Sequence, residues 1–184
     1  MPKLIKDRAV VDDRWTLLRE ATTLSAVSDL PSTEPVIVPL ALWRSEREAL
    51  SARGNVGVWL GPKDEPADLA VDLAADVSTL PLIAVDFPRF GDGRGYSTAR
   101  LLRDRYGYRG ELRAIGDVLR DQLYAMAECG FDAFAVRADR DPHDALLGLS
   151  DFTGLYASTT RTPQPWFRRR AAAQPAESAG CPDL

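Results

Sequence analysis

Short apolar runs alternate regularly with helix-forming segments through most of the chain. The runs are rich in β-branched residues and cover residues 36–40, 56–60, 82–85, 111–115 and 132–137. Helix formers such as Ala, Leu, Glu and Arg fill residues 42–53, 63–80, 97–106 and 117–129 and the stretch after Asp141. Because such alternation requires right-handed crossover connections, the sequence predicts an α/β fold with a mostly parallel sheet.

Two architectures are compatible with this alternation. One is a doubly wound open sheet, and the other is a curved sheet that forms a TIM-barrel-like partial barrel. A complete barrel needs about 250 residues, whereas this chain has 184. We expect one domain over residues 1–167, with a small hairpin at its start, and a disordered tail over residues 168–184. Residues 16–34 show no clear pattern.

Charge and residue usage narrow the classes of function. The net charge of −4 provides no basic field for a polyanion, so we expect no nucleic-acid partner. Cys129 and Cys181 form no CxxC pair and His143 is the single histidine, so we predict no metal site. Cys129 ends an amphipathic helix, which predicts a packed, unreactive thiol. Without a signal-peptide pattern or a run of about 18 apolar residues, we expect a cytoplasmic protein with no membrane partner.

Polar side chains follow the ends of several predicted strands. Asp86 closes an apolar strand, Asp117 follows the next strand, and Arg137 ends the one after it. The carboxyl ends of parallel strands share one edge of the sheet, where α/β proteins bind their ligands. Asp86 and Asp117 are therefore the candidate catalytic residues, although Asp117 could instead cap the following helix. A buried carboxylate needs a partner, and we expect Asp86 to pair with Arg94.

The segment from Phe87 to Arg113 is rich in arginine. Its arginines are Arg89, Arg94, Arg100, Arg103, Arg105, Arg109 and Arg113. Three glycines precede a predicted helix start, and backbone amides beside an arginine there favour binding of sulfite, sulfate or phosphate. The candidate ligand-binding residues are Arg89, Arg94, Ser97, Arg113 and Arg137. Alternatively, the helix arginines Arg100, Arg103 and Arg105 form a solvated face, and Asp92-Gly93 is only a turn.

Three stretches in the second half of the chain resemble a known bacterial family. They read FPRFGDGRGYS, GELRAIGDVLRDQ and CGFDAF. The chain is similar to the bacterial domain-of-unknown-function family nine-three-four from Leu4 to the region of Arg168. Members of that family are labelled as oxidoreductases involved in sulfite reduction, because their genes lie beside assimilatory sulfite reductase. The resemblance assigns no catalytic residue.

Three hypotheses for function are open at this point. The first, implied by the resemblance, is an accessory protein of assimilatory sulfite reduction that binds sulfite reductase, its electron donor or a sulfur oxyanion. The second is a small enzyme acting on an anionic substrate at the carboxyl-terminal rim of the sheet. The third is a non-catalytic structural subunit derived from a barrel, which a homodimer interface would favour. The chain has no cysteine set for siroheme or an Fe–S cluster and no evident flavin or nicotinamide motif, so we expect no cofactor.

Overall fold

The computed structural model describes residues 2–73 and 77–173. Its strands are β1 (Lys3–Lys6), β2 (Ala9–Asp12), β3 (Thr16–Leu17), β4 (Val36–Pro39), β5 (Val56–Leu60), β6 (Leu82–Phe87), β7 (Glu111–Gly116) and β8 (Ala133–Phe134). Its helices are α1 (Ser25–Ser28), α2 (Leu40–Ser45), α3 (Arg47–Arg53), α4 (Pro66–Asp72), α5 (Arg94–Arg100), α6 (Arg120–Glu128), α7 (Pro142–Leu147) and α8 (Trp166–Ala173). A π-helical turn, Leu101–Arg105, continues α5, and 3-10 turns cover Val77–Thr79 and Gly148–Ser150.

The eight strands of the described residues form one sheet, which is curled into a half-barrel. Their spatial order is β2-β1-β8-β7-β6-β5-β4-β3. Pairing is parallel from β3 to β8, and β1 is antiparallel to both β8 and β2. A doubly wound sheet reverses its strand order at a switch point, whereas here each strand from β4 to β8 lies beside its predecessor. The predicted α/β class is confirmed, and the partial barrel is the correct architecture.

The two faces of the sheet have different coverings. Along β6, Ile83 and Val85 point to the helices and belong to the main core. Leu82 and Ala84 belong to a small separate cluster, against which Trp59 packs. Because side chains alternate along a strand, Asp86 points to the same side as Leu82 and Ala84. We call this side the inner face of the half-barrel.

Several predicted helices are shorter or divided in the structure. The helix predicted over residues 42–53 is two helices, α2 and α3, which meet at Glu46. Asp117 does not cap α6, since the N–H of Leu119 donates instead to the side-chain oxygen of Gln122 (3.0 Å). Asp141 does cap α7, because its carboxylate accepts a hydrogen bond from the N–H of His143 (2.9 Å).

The start and end of the described chain add elements to this framework. The predicted hairpin is present as β1 and β2, with Asp7 and Arg8 in its turn at φ of 49° and 63°. Residues 16–34, which show no clear sequence pattern, supply β3 and α1. Helix α8 overlaps the predicted tail, so residues 168–173 are helical, and residues 174–184 lie outside the described residues. Among the helices described, none is long and apolar enough to span a bilayer.

Candidate functional site

The carboxyl ends of β6 and β7 lie side by side at one edge of the sheet. Asp86 is in register with Ile115, and Phe87 with Gly116. The N–H of Asp117 donates to the carbonyl of Phe87 (2.7 Å). The structure therefore brings both candidate carboxylates to this edge. We call this edge, together with residues 88–95 and Arg137, the carboxyl rim.

Asp86 forms an ion pair with Arg19 and not with Arg94. Arg19 Nη1 lies 2.9 Å from Asp86 Oδ1, and the Asp86 side chain is only 9% exposed. The Arg19 guanidinium also lies 6.0 Å from the centre of the Trp59 ring. Within the described residues Asp86 Oδ1 accepts no well-directed hydrogen bond, so the contact is Coulombic. The predicted Asp86–Arg94 pair is wrong, because the segment after β3 brings Arg19 to the inner face.

Gly116 leaves the space that the Asp86 carboxylate occupies. A Cβ atom on Gly116 would lie 2.7 Å from Asp86 Oδ1 and would also overlap the carbonyl oxygen of Phe87. Its φ of 97° is outside the range that other residues adopt without strain. The backbone of Phe87 and the positive φ therefore require glycine at the last residue of β7, and its lack of a side chain leaves room for the Asp86 carboxylate.

The arginine-rich loop does not assemble the anion site that the sequence predicts. Arg94 Nε and Nη2 donate to the two carboxylate oxygens of Asp92, at 2.9 and 2.6 Å. These bonds hold the pKa of Asp92 below its usual value. Ser97 is exposed on α5, and Arg89 is exposed with no ion pair to any described residue. The charge of Arg94 is thus already matched, and only Arg89 keeps a free guanidinium in this loop.

Arg137 binds two carboxylates at the carboxyl rim, those of Asp117 and Asp139. Its Nη1 donates to Asp117 Oδ1 (2.8 Å), while Nε and Nη2 donate to Asp139 (2.6 and 3.0 Å). The other oxygen of Asp117 accepts a hydrogen bond from the N–H of Phe90 (2.9 Å). The pKa of Asp139 is lowered, first by its hydrogen bonds to Arg137. Asp117 thus connects the loop after β6 to the chain beyond β8.

The carboxyl rim is therefore a network of matched charges. A guanidinium whose donors already bind carboxylates has little capacity left for an anionic ligand. Carboxylates with lowered pKa, such as Asp92 and Asp139, are weak general bases. This arrangement favours a structural role for Arg94 and Arg137 and gives little support to acid–base chemistry at the rim.

Arg113 lies away from the carboxyl rim, in the middle of β7. Its side chain is 2% exposed and points to the inner face. Nη1 donates to both oxygens of Asp13 (3.0 and 2.8 Å), and Nε donates to Glu111 (2.8 Å). The ligand-binding role of Arg113 stays a prediction, although two carboxylates of the protein already bind its guanidinium. The alternation of Glu111, Arg113 and Ile115 on one face is a sequence signal that indicates this pairing.

Arg103 is a second buried arginine, which contradicts the alternative of a fully solvated helix face. It is 9% exposed. Its guanidinium donates to the carbonyl oxygens of Gly130, Tyr108 and Gly110 at 2.8–2.9 Å and to Asp132 at 2.7 Å. The π-helical turn that continues α5 places Arg103 toward the core, a deviation from regular helix that residue spacing does not indicate.

Three cavities of ligand size are lined by other parts of the described chain. The first, about 330 Å³, lies at the amino-terminal edge of β7 and β8. The second, about 360 Å³, borders Arg113 on the inner face, and the third, also about 360 Å³, lies beside α3. None of these three is lined by Asp86, Asp117 or Arg137. Among the described residues there is also no group of three or more His, Cys, Asp and Glu that could hold a metal ion.

Cys129 follows α6 as a half-buried thiol, and we expect it to be unreactive. Burial raises its pKa above the ordinary value of 9.0, so the thiol stays protonated at neutral pH. In a Cys181→Ser variant, Cys129 should react with iodoacetamide more slowly than free cysteine at pH 7, and the rate should still be rising above pH 9. Mass spectrometry after timed alkylation measures this rate. A faster reaction than free cysteine at pH 7 would make Cys129 a nucleophile.

The last part of the described chain exposes aromatic side chains. Tyr156, Trp166 and Phe167 are 71%, 44% and 53% exposed, and we call them the aromatic surface. The ring centroids of Tyr156 and Phe167 are 6.3 Å apart, and the N–H of Trp166 donates to the carbonyl of Tyr156 (3.1 Å). Arg168 and Arg170 are exposed next to it. Sequence reasoning missed this surface because it assigned no element to residues 157–167 and treated the residues after 167 as a disordered tail.

Comparison with known proteins identifies a family. Searches of curated proteins and of solved structures gave no match. One family model matches residues 57–167, which run from β5 to the start of α8 and include neither Asp13 nor Arg19. The match covers more than half of the chain, although it begins later than the resemblance from Leu4 predicts. The chain belongs to the family described as bacterial protein of unknown function (DUF934).

Proposed function

We propose that this protein is an accessory protein of assimilatory sulfite reduction that docks onto sulfite reductase or its electron donor. The assignment to sulfite reduction rests on the label that members of the family carry. The observation that supports docking is the aromatic surface with its exposed arginines. Large exposed aromatic side chains beside arginine are the residues that contribute most to binding energy at protein interfaces.

Charge indicates which kind of partner surface would fit. Arginines stand at positions 161, 168, 169 and 170, and no Asp or Glu occurs between Arg161 and Ala173. The whole chain nevertheless carries a net charge of −4, so the charge of this basic stretch is opposite in sign to that of the chain as a whole. A complementary partner presents an acidic face, which would speed association and fix the orientation of the complex.

The contacts of the preceding segment support a fixed position for the aromatic surface. Thr159 Oγ1 donates to the Glu128 carboxylate (2.6 Å), and Arg169 Nη2 donates to the carbonyl of Leu155 (2.9 Å). These bonds attach residues 155–170 to α6 and to one another. A surface that is already ordered loses less conformational entropy when a partner binds.

Binding to the purified partner tests this proposal. The full chain is immobilised, and sulfite reductase and its electron-donor component are titrated separately by biolayer interferometry. We expect binding by the wild type and a loss of affinity of at least about tenfold in the double variant Trp166→Ala with Phe167→Ala. The matched control is Phe90→Ala, which removes a 50% exposed aromatic ring from the carboxyl rim and should bind as the wild type does.

Two results would contradict docking at the aromatic surface. One is the absence of binding by the wild type to either component. The other is a wild-type dimer that the double variant converts to a monomer, which would assign the surface to self-association. Light scattering after size-exclusion chromatography distinguishes these cases.

The double variant Arg168→Glu with Arg170→Glu should reduce the association rate and its dependence on salt, as electrostatic steering requires.

A further inference from the structure

The cavity of about 330 Å³ lies at the edge of the sheet opposite the carboxyl rim. The hairpin turn at Asp7 and Arg8 forms one wall, and the N–H of Asp7 donates to the carbonyl of Asp132 (3.1 Å) just before β8. Arg109, just before β7, forms another wall, and Thr160 and Arg161 close a third side. Segments distant in the chain therefore line a single, partly open cavity.

Three of the arginines that line this cavity have no anionic partner. Arg8, Arg109 and Arg161 are exposed, and their guanidinium groups make no ion pair or hydrogen bond with any described residue. This sets them apart from Arg94, Arg113 and Arg137, each of which is bound by carboxylates.

The carboxylates of the cavity do not cancel this positive charge. Asp132 is already matched by Arg103, whose Nη2 lies 2.7 Å from its Oδ2. Asp7 is the remaining carboxylate among the residues that line the cavity, which also include three unmatched guanidinium groups. The cavity therefore has a net positive charge without a ligand.

The floor of the cavity is apolar. Phe131, Phe134 and Leu149 line it, and each is less than 5% exposed in the chain as a whole. Because these side chains are nearly buried, the apolar surface that they present in the cavity is small, and an apolar group on the ligand would contact it where an inorganic ion would not. The volume is at the lower end of the range of about 300–1,000 Å³ for small-molecule sites, which suits one ring or a short chain.

We infer that this cavity binds a small organic oxyanion: a phosphate, sulfate or sulfonate group attached to an apolar body. The oxyanion lies between Arg8, Arg109 and Arg161, whose planar guanidinium groups match its oxygens in pairs. The apolar body rests on Phe131, Phe134 and Leu149. This site shares Arg161 with the basic stretch of the docking proposal but includes no residue of the aromatic surface, and it does not depend on that proposal.

Calorimetric titration of the full chain tests the site with defined probes. Phenyl phosphate and benzenesulfonate supply both the oxyanion and the ring. Benzyl alcohol supplies the ring alone, and inorganic phosphate, sulfate and sulfite supply the oxyanion alone. We expect the two aryl oxyanions to bind at least about tenfold more tightly than any of the other probes, because both halves of the cavity are filled.

Substitutions of the surface arginines locate the site. Arg109→Gln and Arg161→Gln should each weaken binding of phenyl phosphate by about tenfold or more, since each removes a charge-assisted hydrogen bond. Arg8→Asn removes the third charge and keeps a residue that tolerates the positive φ of the turn. The control Arg47→Gln changes an exposed arginine that does not line the cavity, and its affinity should equal that of the wild type.

The outcomes separate this site from the docking proposal. Absence of aryl oxyanion binding at millimolar concentration, or unchanged affinity in Arg109→Gln and Arg161→Gln, would overturn the inference. Equal affinity for inorganic and aryl oxyanions would overturn the role of the apolar floor. The double variant Trp166→Ala with Phe167→Ala should keep wild-type affinity for phenyl phosphate, whether or not it binds a protein partner.

Discussion

The Arg113→Met variant should lose about 3–5 kcal/mol of unfolding free energy. Methionine replaces much of the side-chain volume but leaves Asp13 without its cation and Glu111 paired with Lys6 alone. The side chains of Asp13 and Glu111 are 12% and 8% exposed, so water cannot fully replace the lost guanidinium. Chemical denaturation at pH 7, followed by circular dichroism, measures the change.

The control for this variant is Arg100→Met. Arg100 makes an exposed i,i+4 pair with Asp104, and such pairs contribute less than about 1 kcal/mol. A loss below about 1 kcal/mol in Arg113→Met would mean that Asp13 and Glu111 reach solvent when the guanidinium is removed. That result would contradict the enclosed ion cluster on the inner face.

The Arg103→Met variant should be destabilised to a similar degree, by about 3–5 kcal/mol. Its guanidinium satisfies three carbonyl oxygens and the Asp132 carboxylate, and no other described side chain donates to these carbonyls. The carbonyls belong to the chain before β7 and before β8, so the variant should also loosen the amino-terminal edge of the sheet. Hydrogen exchange at residues 108–112 and 130–133, together with denaturant unfolding, checks both expectations.

Arg105→Met is the matched control on the same π-helical turn. Arg105 is exposed, and its guanidinium lies 5.7 Å from the centre of the Tyr106 ring. Its loss should cost about 1 kcal/mol or less. Equal stability losses in Arg103→Met and Arg105→Met would show that the effect comes from the helix and not from the buried contacts.

The two buried arginines change how the arginine-rich segment is interpreted. Sequence composition suggests a ligand site, but Arg103 and Arg113 stabilise the fold and Arg94 is bound to Asp92. The unmatched arginine of this segment that lines a cavity is Arg109, which belongs to the opposite edge of the sheet. The ligand-binding role of Arg89 stays a prediction, and the residue is an exposed cation on the carboxyl rim with no ion pair to any described residue.

The family-matched region depends on residues that precede it. Arg113 is held by Asp13, 100 positions earlier, and Asp86 is paired with Arg19. Strands β1 to β4 also lie before residue 57, where the family match begins. Residues 57–167 therefore lack Asp13, one of the two carboxylates that bind Arg113, and Arg19, the cation that pairs with Asp86.

Local sequence determined the elements and the class of this fold. The β-branched runs became strands, Asp141 caps α7, and the strict βα alternation required a mostly parallel sheet. The edge shared by Asp86 and Asp117 also followed from sequence, because parallel strands end on the same side. These features depend on residues that are neighbours in the chain, so spacing and propensity are enough to indicate them.

Only the tertiary structure decided which charges meet. Arg19 and Asp13 reach the inner face because β3 and the hairpin join the sheet at opposite edges, and no local pattern specifies that geometry. The strand order from β3 to β8, which distinguishes the half-barrel from a doubly wound sheet, likewise depends on packing across the whole domain. Ion pairing depends on distance and burial in space, and these are set only when separate segments fold together.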